Sequence, residues 1–367
     1  MLFGDTEGTS IHNLAPDAQE LQSSHSGRDE HVEGSTGMSD RPHSRATRAD
    51  VARLANVSVA SVSYALNNVP NKVSPQTAER IRRAAEILDY RPSTFARALK
   101  TGTSHTLGII IPDFSNPYFA ALSDEIEMAA SKHGYSTLFA SSHIDADTER
   151  SRIDRLQRRD VDAVLTSSIL SDKELATIDQ KHCRLVFFDH PTPMPAGKCV
   201  STDFAPAVEQ VVHHLLGHGH TNMAMLYGDA NPADERVRGW IQSHKDAGLP
   251  VGRIARSQFT REGGYQTTLR LLADDDPPTA IFAASDLEAL GALRAIHESG
   301  LNVPDDIALV SFDGTSETLY TRPQLTTMRQ NTEALARHAV QAAIDPDNVP
   351  DVQLVPSELV IRHSCGC

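Results

Sequence analysis

Residues 47–88 read TRADVARLANVSVASVSYALNNVPNKVSPQTAERIRRAAEIL, and this stretch decides the fold of the N-terminal part of the chain. Thr47 followed three residues later by Asp50 predicts a capping box, with Asp in place of the usual Glu or Gln. Val51 and Leu54 lie on one face of the helix that follows. Asn56 stands where the chain must reverse, and Asn tolerates a left-handed backbone better than most residues. Ser58 is a good cap for a second helix, Val59 to Leu66, on which Val62 and Leu66 face inward at i and i+4. Val59, Ala60, Ser63 and Tyr64 are left facing out. Ser74-Pro75 starts a third helix with an apolar stripe of Ala78, Ile81, Ala85 and Leu88.

Two helices joined by a tight turn form a helix-turn-helix, whose second helix enters the DNA major groove N-terminus first. The plainer reading is a helical hairpin inside an ordinary domain. Charge separates the two. Residues 41–100 hold 11 Lys and Arg against 4 Asp and Glu, a net of +7 inside a chain of net charge −14. A basic segment on an acidic protein suits a nucleic-acid footprint.

DVARLANVSVASVSYALN resembles the DNA-binding helices of the LacI family of bacterial transcription regulators, whose pattern runs roughly DVA-x-x-A-G-V-S-x-x-T-V-S-R-x-L-N. Asn56 replaces the usual Gly, Ser61 the usual Thr and Tyr64 the common Arg. The resemblance implies DNA contacts from Thr47, Ser58, Val59, Ala60, Ser63, Tyr64 and Asn67. Tyr64 falls on a base-reading position, and a phenol cannot make the bidentate contact of Arg to guanine. Tyr90-Arg91-Pro92 and STFARALKTG resemble the family's hinge. There Leu99 takes the place of the residue that wedges between base steps in the minor groove, Ala96 would lie against the groove floor, and Arg97 would meet phosphate.

The chain has 367 residues, 40% hydrophobic and 22% charged, which suits a globular protein of two or three domains. No apolar run approaches a membrane span. The first 30 residues lack the apolar and basic regions of a secretory signal, so a cytoplasmic location is expected. Residues 1–37 carry 7 acids and one Arg, have no period and are expected to be disordered. Met38 offers an alternative start, after which the sequence reads as an ordinary family N-terminus. The expected divisions are an acidic extension over 1–45, a helix-turn-helix domain over 46–91, a hinge over 92–103 and an effector-binding and dimerisation domain over 104–367.

From Thr106 strands and helices alternate: LGIIIP, NPYFAALSDEIEMAASKHG, STLFAS, ERSRIDRLQRRDVDAVLTSS, RLVFFDH, VVHHLLGHGHTNMAMLYG, PTAIFAASDLEALGALRAIHESG and DIALVSFDG. This pattern means parallel sheets with helices on both faces. Its length favours two similar lobes over one sheet. The resemblance implies a small all-α helix-turn-helix domain followed by a two-lobed α/β core like a type I periplasmic binding protein, with ligand between the lobes.

In open parallel sheets ligands bind beyond the C-terminal strand ends. The residues there are Asp113 to Phe119, Ser141 and Ser142, Asp189 and His190, Asp229 to Arg238, Ser285 and Asp286, and Asp313. The resemblance implies effector contacts from Tyr118, Phe119, Asp189, Arg236, Ser285, Asp286 and Asp313, with Arg238 as the second choice of arginine. The family's G-F/Y-D-D element has Gly314 here as its last residue. PQLTTMRQ, Pro323 to Gln330, resembles the segment that returns the chain to the first lobe.

His213, His214, His218 and His220 suggest a metal cluster, yet family members carry H-L-x-x-x-G-H here, which implies structural roles for His214 and His220. Cys365-Gly366-Cys367 is too close for an ordinary two-plus-two zinc site without partners. No metal or cofactor is therefore expected. Neither a P-loop nor G-x-S-x-G is present, and GHG and REGGY lack the spacing of a dinucleotide fingerprint, so no enzyme is expected. The expectation is a homodimeric regulator, with repression as the commoner family outcome. It would bind a pseudo-palindromic operator and respond to a small effector, a carbohydrate by family base rates. The rivals are an activator of the same family and a solute-binding protein that does not touch DNA.

Overall fold

The computed structural model describes residues 46–91, 102–180, 183–189, 194, 197–228 and 234–367. The acidic extension, the hinge readings at Ala96, Arg97 and Leu99, and His190 lie outside the described residues. The chain divides into two compact units between Arg91 and Pro92.

In the first unit α1 (Arg48–Leu54) opens on the expected capping box: Thr47 Oγ1 accepts from the Asp50 amide and the Asp50 carboxylate accepts from the Thr47 amide at 2.9 Å. Asn56 has φ 51°, the left-handed turn that its short amide side chain tolerates. Ser58 caps α2 (Val59–Leu66) by accepting from the Ser61 amide at 3.1 Å. Ser74 caps α3 (Pro75–Ile87), with Pro75 at its first turn, where no amide hydrogen is needed. Val51, Ala52, Ala55, Val62, Ala65, Ile81 and Ala85 are buried together. Leu54 corrects the sequence reading. It is 50% exposed, because the inward face of so short a helix runs through Val51, Ala52 and Ala55.

The second unit contains two six-stranded sheets. The first lobe is built from β1 (Thr106–Ile111), α4 (Pro117–Lys132), β2 (Ser136–Ser141), α5 (Ala146–Gln157), β3 (Ala163–Thr166), a short α6 (Asp172–Leu175), β4 (Arg184–Phe188) and β5 (Lys198–Thr202). The second lobe takes α7 (Phe204–Gly217), β6 (Met223–Tyr227), α8 (Glu235–Asp246), β7 (Arg253–Arg256), α9 (Arg261–Leu272), β8 (Ala280–Ala283), α10 (Asp286–Glu298), β9 (Ala308–Asp313) and β10 (Thr326–Arg329). The chain then returns to the first lobe for α11 (Thr332–Ile344) and β11 (Val352–Val355), and ends on the second with β12 (Glu358–Val360). The strand orders are β11-β5-β4-β3-β1-β2 and β12-β10-β9-β8-β6-β7, with every pair parallel except β10 and β12.

Alternation explains why β1 reads as an unbroken apolar run. Leu107, Ile109 and Ile111 join the core under α4 and α11, while Ile110 points through to Ile153, Leu156 and Phe187 on the other face. The sequence pattern assigns no element to α6, β5, α8, β7, α9, β10, α11, β11 or β12. Most are short and lack a long apolar period, and α9 carries two adjacent glycines that read as loop.

One of those glycines, Gly264, and Gly291 of α10 let two helices touch. A Cβ at Gly264 would overlap the backbone of Glu288, and one at Gly291 would overlap the Arg261 carbonyl. α9 and α10 therefore meet backbone to backbone across a pair of hydrogens. Gly291→Ala would force them apart and should lower stability by roughly 1–3 kcal/mol, the usual cost of overpacking. Urea denaturation of both proteins measures it.

Candidate functional site

On α2 the side chains turned to solvent are Val59 at 47% exposure, Ala60 and Tyr64 at 39%. Ser63 is half-buried. Asn67 is exposed, but its amide donates to the Ser63 carbonyl at 2.8 Å. Ser58 and Thr47 are engaged as helix caps. The helix thus presents an apolar, small and phenolic surface with no charge of its own.

The second candidate site forms where strands of both lobes end. Arg236, in the first turn of α8, has its guanidinium carbon 3.6 Å from the centre of the Phe204 ring and 5.5 Å from that of Phe312. Its Nη1 donates to the Tyr227 hydroxyl at 3.4 Å, and Tyr227 in turn donates to Asp234, which caps α8. Arg236 Nε is buried and has no hydrogen-bond partner. Burial opposes the charge of Arg236, but Tyr227, Asp189 and Asp234 outweigh it and hold the group protonated. Arg238 turns outward to pair with Glu235, which leaves Arg236 as the inward-facing arginine.

Asp189 follows β4 with φ 59° and accepts from Ser167 Oγ at 3.1 Å. Asp313 ends β9 with φ 110°, a region that an L-residue occupies only when its surroundings hold it there. Burial, and then the neighbouring Asp286 carboxylate, push its pKa well above the usual carboxylate range. The Tyr118 phenol is pushed up by burial and by the charges of Asp189 and Asp313. Tyr118 and Arg236 are therefore each within electrostatic reach of both Asp189 and Asp313.

One residue that the sequence reading did not assign to the site connects this group. Gln330 follows β10 at the point where the chain leaves the second lobe. Its Oε1 accepts from Tyr118 Oη at 3.2 Å and from Thr202 Oγ1 at 2.5 Å, both in the first lobe. Its Nε2 donates to Asp313 Oδ1 at 2.9 Å in the second. Its place as the last residue of PQLTTMRQ was the available signal.

Other expected contacts are already engaged within the protein. Ser285 caps α10, accepting from the Glu288 amide at 3.2 Å. Asp286 is 1% exposed and accepts from Ser311 Oγ at 2.5 Å, Thr327 Oγ1 at 3.0 Å and the Thr315 amide at 2.6 Å. Its carboxylate ties β9, β10 and the loop after β9 together. Phe119 packs on the first-lobe core, edge-on to Tyr118. Glu288 is also fully buried, and burial raises its pKa to about 8.

The chain matches known proteins along most of its length. Residues 47–93 match the profile of bacterial regulatory proteins of the lacI family, and residues 212–365 match a periplasmic binding protein-like domain. The regulator GalS of Salmonella typhimurium is 32% identical over 303 residues, covering 81% of this chain and 89% of GalS. The repressor CytR of Escherichia coli is 32% identical, covering 87% and 96%. The structure of the lac repressor dimer bound to operator and the anti-inducer ONPF superimposes with a TM-score of 0.80 at 26% identity, covering 88% of this chain and 99% of that one. A LacI family regulator from Enterococcus faecium with bound ribose superimposes at 0.63, with 26% identity, covering 71% of this chain and 98% of that one. The chain belongs to the LacI family of bacterial transcription regulators, with a helix-turn-helix head and a two-lobed effector-binding core.

Gln330→Ala removes three side-chain hydrogen bonds and takes their partner from buried Tyr118 Oη, Thr202 Oγ1 and Asp313 Oδ1, while Asp313 Oδ2 keeps the Asp286 amide. It should cost about 2–4 kcal/mol in urea denaturation, from the usual penalty for buried polar groups left without partners. Glu288 gives a pH signature. Its pKa is raised on folding from 4.5 to about 8, so its contribution to stability is complete below 4.5 and is lost as pH rises towards 8. Melting temperatures of Glu288→Gln measured across that range should fall less steeply than those of the wild type.

Proposed function

We propose that this protein is a ligand-responsive repressor that works by binding, not by turnover, in the cytoplasm. A homodimer presents two copies of the α1–α2 motif to a pseudo-palindromic operator. A small polar molecule of the sugar class binds between the lobes and changes operator affinity by linkage. The hinge positions Ala96, Arg97 and Leu99 are the proposed minor-groove contacts. On α2, Val59, Ala60 and Tyr64 are the proposed readers of the major groove, with Thr47, Ser58, Ser63 and Asn67 flanking them.

The observation that carries the effector reading is the unpartnered buried Nε of Arg236. It lies against the Phe204 ring, amid Asp189, Asp313 and Tyr118. A buried donor without an acceptor is costly, and a ligand oxygen would satisfy it. Carboxylates suit sugar hydroxyls, and a ring face suits the C–H face of a sugar. The solved relatives that carry ONPF and ribose support this class of ligand. The homodimer reading is supported by Phe114, Met128 and Phe139, exposed apolar side chains that line one hollow on the first lobe.

The deciding experiment is binding of the full chain to duplexes from its own upstream region over a salt series, followed by a sugar screen on the duplex that binds best. Sequence-specific binding with a steep salt slope is expected. Asp313→Ala should retain operator binding and lose the response to the active sugar. Weak binding without sequence preference at every salt concentration would overturn the operator reading.

A further inference from the structure

The C-terminal Cys365-Gly366-Cys367, which the sequence left without partners, meets the end of α7. His214 and His218 sit one helical turn apart there, on the same face, with ring centres 4.9 Å apart. Cys367 Sγ lies 3.1 Å from His218 Nε2 and 3.8 Å from His214 Nε2. With Cys365 included, one ligand atom from each of the four residues falls within 4.8 Å of all the others.

The segment that carries the thiols is held in place. Ser364 Oγ donates to the Leu309 carbonyl at 2.5 Å, and the Leu309 amide donates to the Ser364 carbonyl at 2.7 Å. Cys365 is fully buried in the second-lobe core, and its sulfur accepts from Thr326 Oγ1 at 3.0 Å. Gly366 has φ +94°, a left-handed bend that brings Cys367 back over α7. Cys367 and His218 are both exposed and can adjust.

We infer that His214, His218, Cys365 and Cys367 form a binding site for one divalent zinc ion. Two thiolates and two imidazoles are the donor set that favours zinc over harder cations. Tetrahedral zinc, with bonds of about 2.3 Å to sulfur and about 2.0 Å to nitrogen, sets ligand atoms roughly 3.3–3.8 Å apart. The two distances from Cys367 Sγ to the histidine nitrogens already lie near that range. Rotation of the exposed pair closes the remainder. Four protein donors leave no open position, so the ion fastens the end of the chain to α7 and does no chemistry.

The test uses the full-length, untagged chain, reduced, stripped with a chelator and titrated with Zn²⁺ and separately with Co²⁺. One zinc per chain is expected. Cobalt should give the intense visible bands of a tetrahedral ion together with a thiolate charge-transfer band. Zinc should raise the melting temperature, since binding free energy adds to that of the folded state. Cys367→Ser and His218→Ala change exposed residues and should each weaken zinc binding by about 100-fold or more, at least the top of the range for losing an outer-shell partner. His213→Ala, an exposed neighbour, should leave it unchanged. Substoichiometric zinc, a weak octahedral cobalt spectrum, or equal losses in all three variants would overturn the site and mark the binding as adventitious.

Discussion

The Gln330 side chain is the hydrogen-bonded link between the two lobes of the core. A carboxamide offers an acceptor and a donor on one planar group, and here the acceptor faces one lobe and the donor the other. Tyr118 and Thr202 stand at the ends of first-lobe elements, and Asp313 at the end of a second-lobe strand. On the second-lobe side the backbone fixes the carboxamide, because the Gln330 amide donates to the Asp313 carbonyl at 3.1 Å. A ligand that repositions Asp313 or Tyr118 therefore acts directly on the segment joining the lobes. That is the arrangement linkage requires, since a ligand shifts an equilibrium only through contacts that differ between the two states.

Beside this link the second lobe is held together by buried contacts of its own. Asp286 ties two strands and a loop through three hydrogen bonds. The paired glycines of α9 and α10 bring two helices into backbone contact. Aromatic rings hold Arg236 from one side, with Phe204 at the start of the helix that follows the first crossing between lobes. Cost and function coincide here. An arginine nitrogen without a partner and an aspartate at positive φ are unfavourable by themselves, and rigid surroundings keep both in place.

Much of the architecture was legible beforehand. The helix caps at Thr47, Ser58 and Ser74, the left-handed Asn56, the limits of α2 and the strand STLFAS all follow from local chemistry, and they stand where local chemistry puts them. The positions of Tyr118, Asp189, Arg236 and Asp313 were legible as strand-end residues. Their proximity was not, because residues spread from position 118 to position 313 are brought together only by the crossings between sheets. Leu54 was misleading for a related reason: on a helix of two turns, neighbouring helices choose which side is covered.

The sequence by itself determined the helix-turn-helix, the alternation of strands and helices, and the residue types available at strand ends. Capping, periodicity and turn preference act over a few residues, so they can be read from a few residues. Tertiary structure alone decided that Asp286 holds strands together, that Gln330 spans the lobes, and that two cysteines at the end of the chain lie against two histidines of α7. These roles depend on which strand ends meet in space. Three crossings of the chain between its sheets set that, and no local spacing encodes it.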